Sequence, residues 1–341
     1  MSTKPHIGVA FSGGVDSAVC VKLLQNEGYL VSAWHMLTCH SAPSPATLAL
    51  ADALNVPLHI VDLRAEFEHE VVAPFFRDYA EGRTPNPCLR CNARLKFDRL
   101  HEAINGPMAT GHYVRIACFP GTQTLTLQCG ADPAKDQSYF LYALPHAALT
   151  SLRFPLGALT RAEVVNYARQ WQLPIPEEKL TSGSQDICFL PDGDYRPELC
   201  KRHPETARPG NVLDMNGNII GRHNGLATVT RGQRKGLGIA TGGRAFAVAF
   251  DHARNTLTLG PKEALAVSQF FISQINWFVE PAFPLQCEAV TRYHHRPVHC
   301  TVWADGRIVP EQPLTLVTPG QACVLYHEGY VLGGGLIHAL S

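Results

Sequence analysis

Three stretches of this 341-residue chain carry side chains that can do chemistry. The first is Ser12-Gly13-Gly14-Val15-Asp16-Ser17, set between a short apolar run and a helical pattern. Glycines let the backbone turn sharply and aim N–H groups inward. A helix N-terminus adds partial positive charge, and Ser12 and Ser17 offer hydroxyls. Together they make an anion cradle suited to nucleotide phosphates. It is not a Walker loop, because Gly-Lys-Ser/Thr is missing, and no G-x-G-x-x-G follows the first apolar run. The other two stretches carry thiols. Cys88 and Cys91 form a C-x-x-C behind Thr84-Pro85-Asn86-Pro87, and Cys188 lies in Ser184-Gln185-Asp186-Ile187-Cys188-Phe189. Thiolates are nucleophiles and metal ligands. Three of them suit an iron–sulfur cluster with one open iron position, or a zinc ion. The residues alone leave open whether these thiols react, bind metal or, for Cys188 between Ile187 and Phe189, pack in a core.

The surrounding pattern supplies the scaffold. Residues 6–11 read as a strand, 15–28 as a helix, 29–36 as a strand, 45–54 as a helix, 57–62 as a strand, 66–79 as a helix and 107–110 as a buried strand. This alternation predicts a doubly wound α/β fold with a parallel sheet, whose ligands bind beyond the carboxyl ends of the strands. Residues 82–92 read as a polar loop stiffened by two prolines. Near residue 204 helical periodicity stops. Asn216-Gly217 marks a hairpin, and after Ser268 short strands follow at 270–275, 286–293, 299–304, 322–326 and 330–337, the pattern of a small β-barrel. The expected division is 1–204 for the catalytic domain, 205–265 for a connector and 266–341 for the barrel.

The chain holds 29 Lys and Arg against 29 Asp and Glu, so overall charge drives no nucleic-acid binding. A local patch can. Residues 219–250 contain Arg222, Arg231, Arg234, Lys235 and Arg244 among seven glycines, with no Asp or Glu until the chain reaches Asp251. No run approaches the ~20 apolar residues of a membrane span, and residues 1–6 lack a signal-peptide pattern, so a cytoplasmic protein is expected. Eleven cysteines without a secretory signal argue for thiol chemistry rather than structural disulfides. Cys20, Cys118, Cys129, Cys287, Cys300 and Cys323 are expected to be plain core residues.

The SGGVDS string resembles the PP-loop of N-type ATP pyrophosphatases, which attach AMP to a substrate oxygen. The full ordered set narrows this further: SGGVDS, Thr84-Pro85-Asn86-Pro87 with Cys91-Asn92, Ala109-Thr110-Gly111-His112-Tyr113, Lys135-Asp136-Gln137-Ser138-Tyr139, the Cys188 segment, Gly232-Gln233-Arg234-Lys235-Gly236, Arg292-Tyr293 and Pro319-Gly320-Gln321. By these motifs the chain resembles the tRNA-specific 2-thiouridylases, the MnmA or TrmU family, over nearly its whole length. The resemblance implies ATP and Mg2+, adenylation of the C2 oxygen of a wobble uridine, and sulfur delivery by a persulfide on Cys188 with Cys91 as second catalytic thiol. It implies ATP contacts at Ala10, Phe11, Ser12, Gly13, Gly14, Val15, Asp16, Ser17, Met36 and Gly111. Target-base contacts fall at Asn86, Pro87 and Cys88. Other tRNA contacts fall at His112, Lys135, Asp136, Gln137, Arg292, Tyr293 and Gln321, to which the basic segment adds Arg234 and Lys235. The sulfur donor would be a persulfide carrier protein, a cysteine desulfurase or sulfide. Many members carry Asp where this chain has Cys88, which leaves Cys88, Cys91 and Cys188 as an alternative ligand set for a 4Fe–4S cluster. Members also have a longer polar stretch where this chain has residues 39–44. Two rival functions remain at this level: a PP-loop enzyme acting on a small metabolite, and a non-catalytic tRNA-binding or sulfur-carrier protein.

Overall fold

A computed structural model describes residues 4–181, 187–190, 192–239, 243–315 and 317–340. Ser184, Gln185 and Asp186 of the third stretch lie outside them. The first strand, β1 (His6–Ala10), buries Ile7 and Val9 completely, as a central parallel strand covered on both faces must. Its one glycine, Gly8, has a packing reason: a Cβ there would stand 2.6 Å from Ile104. After it come α1 (Val15–Asn26), β2 (Leu30–Leu37), α2 (Pro45–Ala53) and β3 (Leu58–Asp62). Further on lie β4 (Met108–Thr110), β5 (Val114–Cys118), β6 (Leu125–Cys129) and β7 (Leu152–Arg153). Strands β3-β2-β1-β4-β7 form one parallel sheet in that order. The doubly wound expectation holds. α1 packs Ala18, Val21 and Leu24 on one face and Val15 and Val19 on the other, so it is buried between the sheet and the segment around Val164.

Two local expectations are corrected. The helix read at 66–79 begins earlier and changes register, running Arg64–Phe67, a π turn Glu68–Val72, then Ala73–Ala80. The polar loop ends at Asn86. Pro87 starts a helix, Pro87–Arg90, that continues as a π segment Cys91–Leu100. Proline suits a first helical turn because its missing N–H has no partner there, and the Asn86 side chain caps the end by accepting from the Cys88 N–H at 3.2 Å. The C-x-x-C is therefore helical.

The middle segment is a four-stranded sheet of β8 (Gly210–Leu213), β9 (Ile219–His223), β10 (Phe246–Asp251) and β11 (Thr256–Gly260), ordered β10-β11-β8-β9. The Asn216-Gly217 turn joins β8 to β9, with Gly217 at φ +84 and the Asp214 carboxylate accepting from the N–H of Asn216 and Asn218. The last six strands are β12 (Phe270–Trp277), β13 (Leu285–Val290), β14 (Val298–Val302), β15 (Arg307–Pro310), β16 (Ala322–His327) and β17 (Tyr330–Leu340). They run β12-β15-β14-β13-β16-β17, and β12 also pairs with β17, which closes the barrel. β15 escaped the sequence pattern because it is four residues long and ends in Pro310.

The β5–β6 hairpin also escaped it. It belongs to the first part of the chain but joins the barrel sheet beside β17, through Gln128 opposite Tyr330 and the Cys129 N–H donating to the Gly329 carbonyl at 2.8 Å. One apolar cluster then contains Val114, Leu127 and Leu141 from the first part with Val324, Tyr326 and Val331 from the barrel. Cys20, Cys287, Cys300 and Cys323 are buried as expected, whereas Cys129 is half-buried and Cys118, ending β5, is exposed.

Candidate active site

The SGGVDS loop leaves β1 at the carboxyl edge of the parallel sheet and enters α1. Gly13 holds φ +79, and a Cβ there would lie 2.3 Å from Thr47 Oγ1 on α2, so only glycine fits. Gly14 stands at the N-cap with no side chain capping α1, which leaves its first turn open to an outside anion. Ser12 Oγ donates to Ser17 Oγ at 3.3 Å, and Ser17 Oγ to the Gly14 carbonyl at 2.9 Å. Phe11 and Val15 are buried flanks, Ala10 is half-buried at the strand end, and Met36 lies half-buried near the end of β2. Asp16 is engaged within the protein: it accepts from the Tyr113 hydroxyl at 2.7 Å and pairs with Arg161. Gly111 lets β4 come against α1, since a Cβ would stand 2.8 Å from the Asp16 carbonyl carbon. These residues fit a triphosphate: a glycine-only cradle, an open helix end and two hydroxyls.

The thiols lie at the same sheet edge. Cys88 and Cys91 are three residues apart and share a helix face. Cys91 packs against the same apolar cluster as Met36, Val61, Ile187 and Phe189, which brings the Cys188 segment onto the thiol helix. Cys88 and Cys188 are exposed as residues, although their sulfurs lie among crowded protein atoms. That crowding pushes the thiols of Cys88 and Cys91 up, and the Lys96 ammonium pulls both back. Cys188 is pushed up to about 12, first by burial and then by the neighbouring thiols of Cys39, Cys91 and Cys88. A positive charge therefore offsets part of the burial effect at Cys88 and Cys91, through Lys96, whereas Cys188 sits among thiols. Among the described residues no three His, Cys, Asp or Glu side chains converge closely enough to hold a metal ion. The trio Cys88, Cys91 and Cys188 does not fit a 4Fe–4S cluster in this arrangement.

Lys96 organises the floor of the site. Its ammonium donates to Asn92 Oδ1 at 3.0 Å and reaches His112 Nε2 at 3.5 Å. Lysine has no acceptor, so Nε2 is unprotonated and Nδ1–H donates to Thr110 Oγ1 at 2.7 Å. Burial first, and the Lys96 charge second, hold His112 well below the usual imidazole value. Unfolded histidine titrates near ~6.5, so on acidification the unfolded chain takes the proton first. The stability contributed by neutral His112 is full above that pH and is lost as pH falls toward the depressed folded value. Urea midpoints of the parent should fall between pH 7 and pH 5 more steeply than those of His112→Gln. Parallel curves would show that His112 charges freely in the fold.

The remaining expected contacts split into exposed and engaged groups. Pro87 is buried as the first residue of the thiol helix. Asp136 accepts from the N–H of Gly130 and Ser138 and from the Ser138 hydroxyl, not from Lys135, which is half-buried beside it. Gln137 Oε1 accepts from the Tyr113 N–H at 3.0 Å. Gln321 donates to the Thr84 carbonyl at 2.7 Å, which seats the barrel loop on the segment leading to the thiols. Tyr293 is half-buried, Arg292 exposed. Arg234 and Lys235 are exposed, and Arg234 and Arg244 line one shallow concavity of about 390 Å³. Arg231 is corrected out of the basic patch: its guanidinium is half-buried and donates to the carbonyls of Val248 and Leu265. Sequence reasoning missed Arg161, Lys96, Thr47 and the proximity of Cys39. Lys96, one helical turn past Cys91, was the only one of these with a local signal.

Family models match the chain in three consecutive blocks: a tRNA methyl transferase HUP domain over residues 5–192, a tRNA methyl transferase PRC-barrel domain over 198–261 and an aminomethyltransferase beta-barrel domain over 267–337. A protein of Syntrophotalea carbinolica named tRNA-specific 2-thiouridylase MnmA is 40% identical over 350 residues, covering 97% of this chain and 98% of its own. One of the same name from Nitratidesulfovibrio vulgaris is 41% identical over 344 residues, with 97% and 98% covered. A solved structure, the U34-tRNA thiolase NcsA from Methanococcus maripaludis, is similar at 17% identity and TM-score 0.34 over 60% of this chain and 69% of that one, too distant to carry weight. Agreement along the whole length, on a fold that gathers the anion loop and the thiols at one sheet edge, places this chain in the tRNA-specific 2-thiouridylase family.

Proposed function

We propose that this chain is a tRNA-uridine 2-sulfurtransferase that consumes ATP, acting in the cytoplasm as three parts, 1–204, 205–265 and 266–341. The observation that supports it best is the meeting of a glycine-only anion cradle with the Cys88, Cys91 and Cys188 thiols at one strand edge. The loop at residues 12–17 holds the triphosphate by backbone N–H groups and hydroxyls. The uridine C2 oxygen attacks the α-phosphorus and pyrophosphate leaves. The terminal sulfur of a Cys188 persulfide attacks C2, and AMP departs with the former C2 oxygen. A second thiolate then attacks Cys188 Sγ, the bond to the transferred sulfur breaks, and its electron pair stays on the new 2-thiouridine. By resemblance that thiol is Cys91. The outer sulfur of the persulfide is passed on, already at the persulfide oxidation level, by a carrier protein or a cysteine desulfurase; sulfide could load Cys188 only by attacking a disulfide that Cys188 had first formed, whose other sulfur would leave with the electron pair.

Magnesium is assigned no protein carboxylate here, because Asp16 is occupied by Arg161 and Tyr113; the ion would enter on the triphosphate. No step is routed through a cluster. The methyl-transfer label of the family models fits the site less well, since methyl transfer uses neither an adenylate nor paired thiols. Mass spectrometry of tRNA nucleosides after incubation with ATP and a persulfide donor decides: 2-thiouridine with pyrophosphate supports thiolation, and methylated uridine or orthophosphate overturns it.

Binding of tRNA by a chain of zero net charge has to come from a focused patch. Arg234 and Lys235, exposed in the glycine-rich segment, are its first members, with Arg292 on the barrel. Reversing Arg234 and Lys235 to Glu should weaken binding of several different tRNAs alike and reduce the slope of log K against log salt by roughly 2. ATP affinity without tRNA should not move. Unchanged binding across a salt series would make this segment a solvated surface only.

A further inference from the structure

Lys96 carries a positive charge that no negative group in the site answers. Its half-buried ammonium has two partners, Asn92 Oδ1 at 3.0 Å and His112 Nε2 at 3.5 Å, and both are neutral. Among the described residues no carboxylate pairs with it. The two partners are themselves fixed. Asn92 is buried and donates from Nδ2 to the Phe140 carbonyl at 3.4 Å, and buried His112 is held by Thr110. An ammonium has three N–H groups, so one remains for a further acceptor. A charge withdrawn from water without a counter-ion is costly, and an arriving anion offsets that cost. The position favours one anion. Thr110 at the end of β4 stands opposite Ala10 at the end of β1 in the parallel register. The anion loop leaves β1 at that level, Gly111 packs on Asp16, and His112 follows. Lys96, seated on His112, therefore lies between the anion loop and the thiol helix that carries it. The other cation at the loop, Arg161, is engaged by Asp16 and by the Leu180 carbonyl.

We infer that Lys96 is a catalytic residue whose third N–H meets a non-bridging oxygen of the nucleotide α-phosphate. This rests on the sulfurtransferase reading and names a participant in its first step. As the uridine C2 oxygen bonds to the α-phosphorus, the bond to the bridging oxygen breaks and its electron pair leaves with pyrophosphate. Negative charge gathers on the non-bridging oxygens of the α-phosphorus between the two. An ammonium already aimed by Asn92 and His112 stabilises that charge without having to reorganise. The same ammonium faces the phosphate of AMP when the persulfide sulfur displaces it. Neutral His112 belongs to this arrangement, because an imidazolium would repel Lys96 and remove the acceptor that aims it.

Calorimetric binding of AMP and of adenosine to the full chain tests the contact without tRNA. Lys96→Met removes the charge and keeps an unbranched stem. Its affinity for AMP should fall at least about tenfold while its affinity for adenosine stays within about twofold of the parent's. Unchanged AMP affinity, or equal losses for the two ligands, overturns the assignment. With tRNA and ATP but no sulfur donor, kcat for pyrophosphate release by Lys96→Met should fall at least about a hundredfold, and KM for ATP should rise less than about tenfold. A loss carried by KM alone, or a kcat within about threefold of the parent's, also overturns it. Should Lys96→Met fail to fold, Lys96→Gln, which still offers a donor to Asn92, takes its place under the same expectations. Lys96→Arg keeps the charge and should exceed the neutral variant at least about tenfold in kcat; equal rates would leave Lys96 a packing residue only. If the parent releases no pyrophosphate with tRNA while the difference between AMP and adenosine holds, the sulfurtransferase reading fails and the phosphate contact stands.

Discussion

Cys188→Ser protein, supplied with ATP and tRNA, is expected to release pyrophosphate at a rate within about threefold of the parent while its 2-thiouridine yield falls by roughly 10³ or more. Adenylation needs only the anion loop and the uridine oxygen. Sulfur delivery needs a sulfur atom at position 188 to carry the persulfide, and a serine hydroxyl cannot. Serine replaces the sulfur with one smaller atom and removes no carbon, so the substitution leaves no sizeable void and a stability loss does not imitate the effect. Pyrophosphate and nucleosides should be measured on the same samples. Normal thiolation by this variant would return Cys188 to the role of an inert surface thiol and remove the relay.

Gly13→Ala is expected to abolish pyrophosphate release, by about 10² to 10³ or more, while tRNA binding persists. Two penalties combine. A non-glycine residue at φ +79 costs on the order of 1–2 kcal/mol. The added methyl would also sit 2.3 Å from Thr47 Oγ1 and 2.9 Å from its Cβ, so the loop or α2 must shift and the N–H groups lose their aim. Gly121→Ala is the matched control, because Gly121 has φ +74 but nothing within 4 Å of the added Cβ. It should be destabilised by the backbone penalty alone and keep full turnover. Equal activity loss in both would mean that Gly13 acts through general stability and not through the cradle.

The legible parts of the sequence were the local ones. β1 and α1 declare themselves through a continuous apolar run followed by a glycine pair, and Asn216-Gly217 fixes its own turn by backbone conformation. Contacts across long sequence separations leave no such trace. Arg161 pairs with Asp16 from 145 residues away, and Gln321 reaches Thr84 across 237. The helical C-x-x-C was misread as loop because two prolines and an asparagine look like turn residues, when Asn86 and Pro87 are a cap and a first-turn residue. Arg231 and Arg234 are indistinguishable as letters, and only packing sends one into the interior and leaves the other facing water. Cys39 gave no signal because its neighbour Cys188 is distant in the chain.

The apolar cluster that joins Val114, Leu127 and Leu141 to Val324, Tyr326 and Val331 limits how this architecture can be taken apart. A fragment ending near residue 204 would present one half of that cluster to water, and the barrel alone would present the other. Exchange of barrels between relatives at the apparent sequence borders would then have to preserve a shared interior, including the hairpin whose Thr126 hydroxyl donates to the Val331 carbonyl. Heritable units in this chain are thus larger than its sequence segments. A graft succeeds when β5 and β6 travel with β17, and the middle sheet, with its own small core of Val212, Leu226, Ala247, Leu257 and Leu259, is the piece free to be replaced.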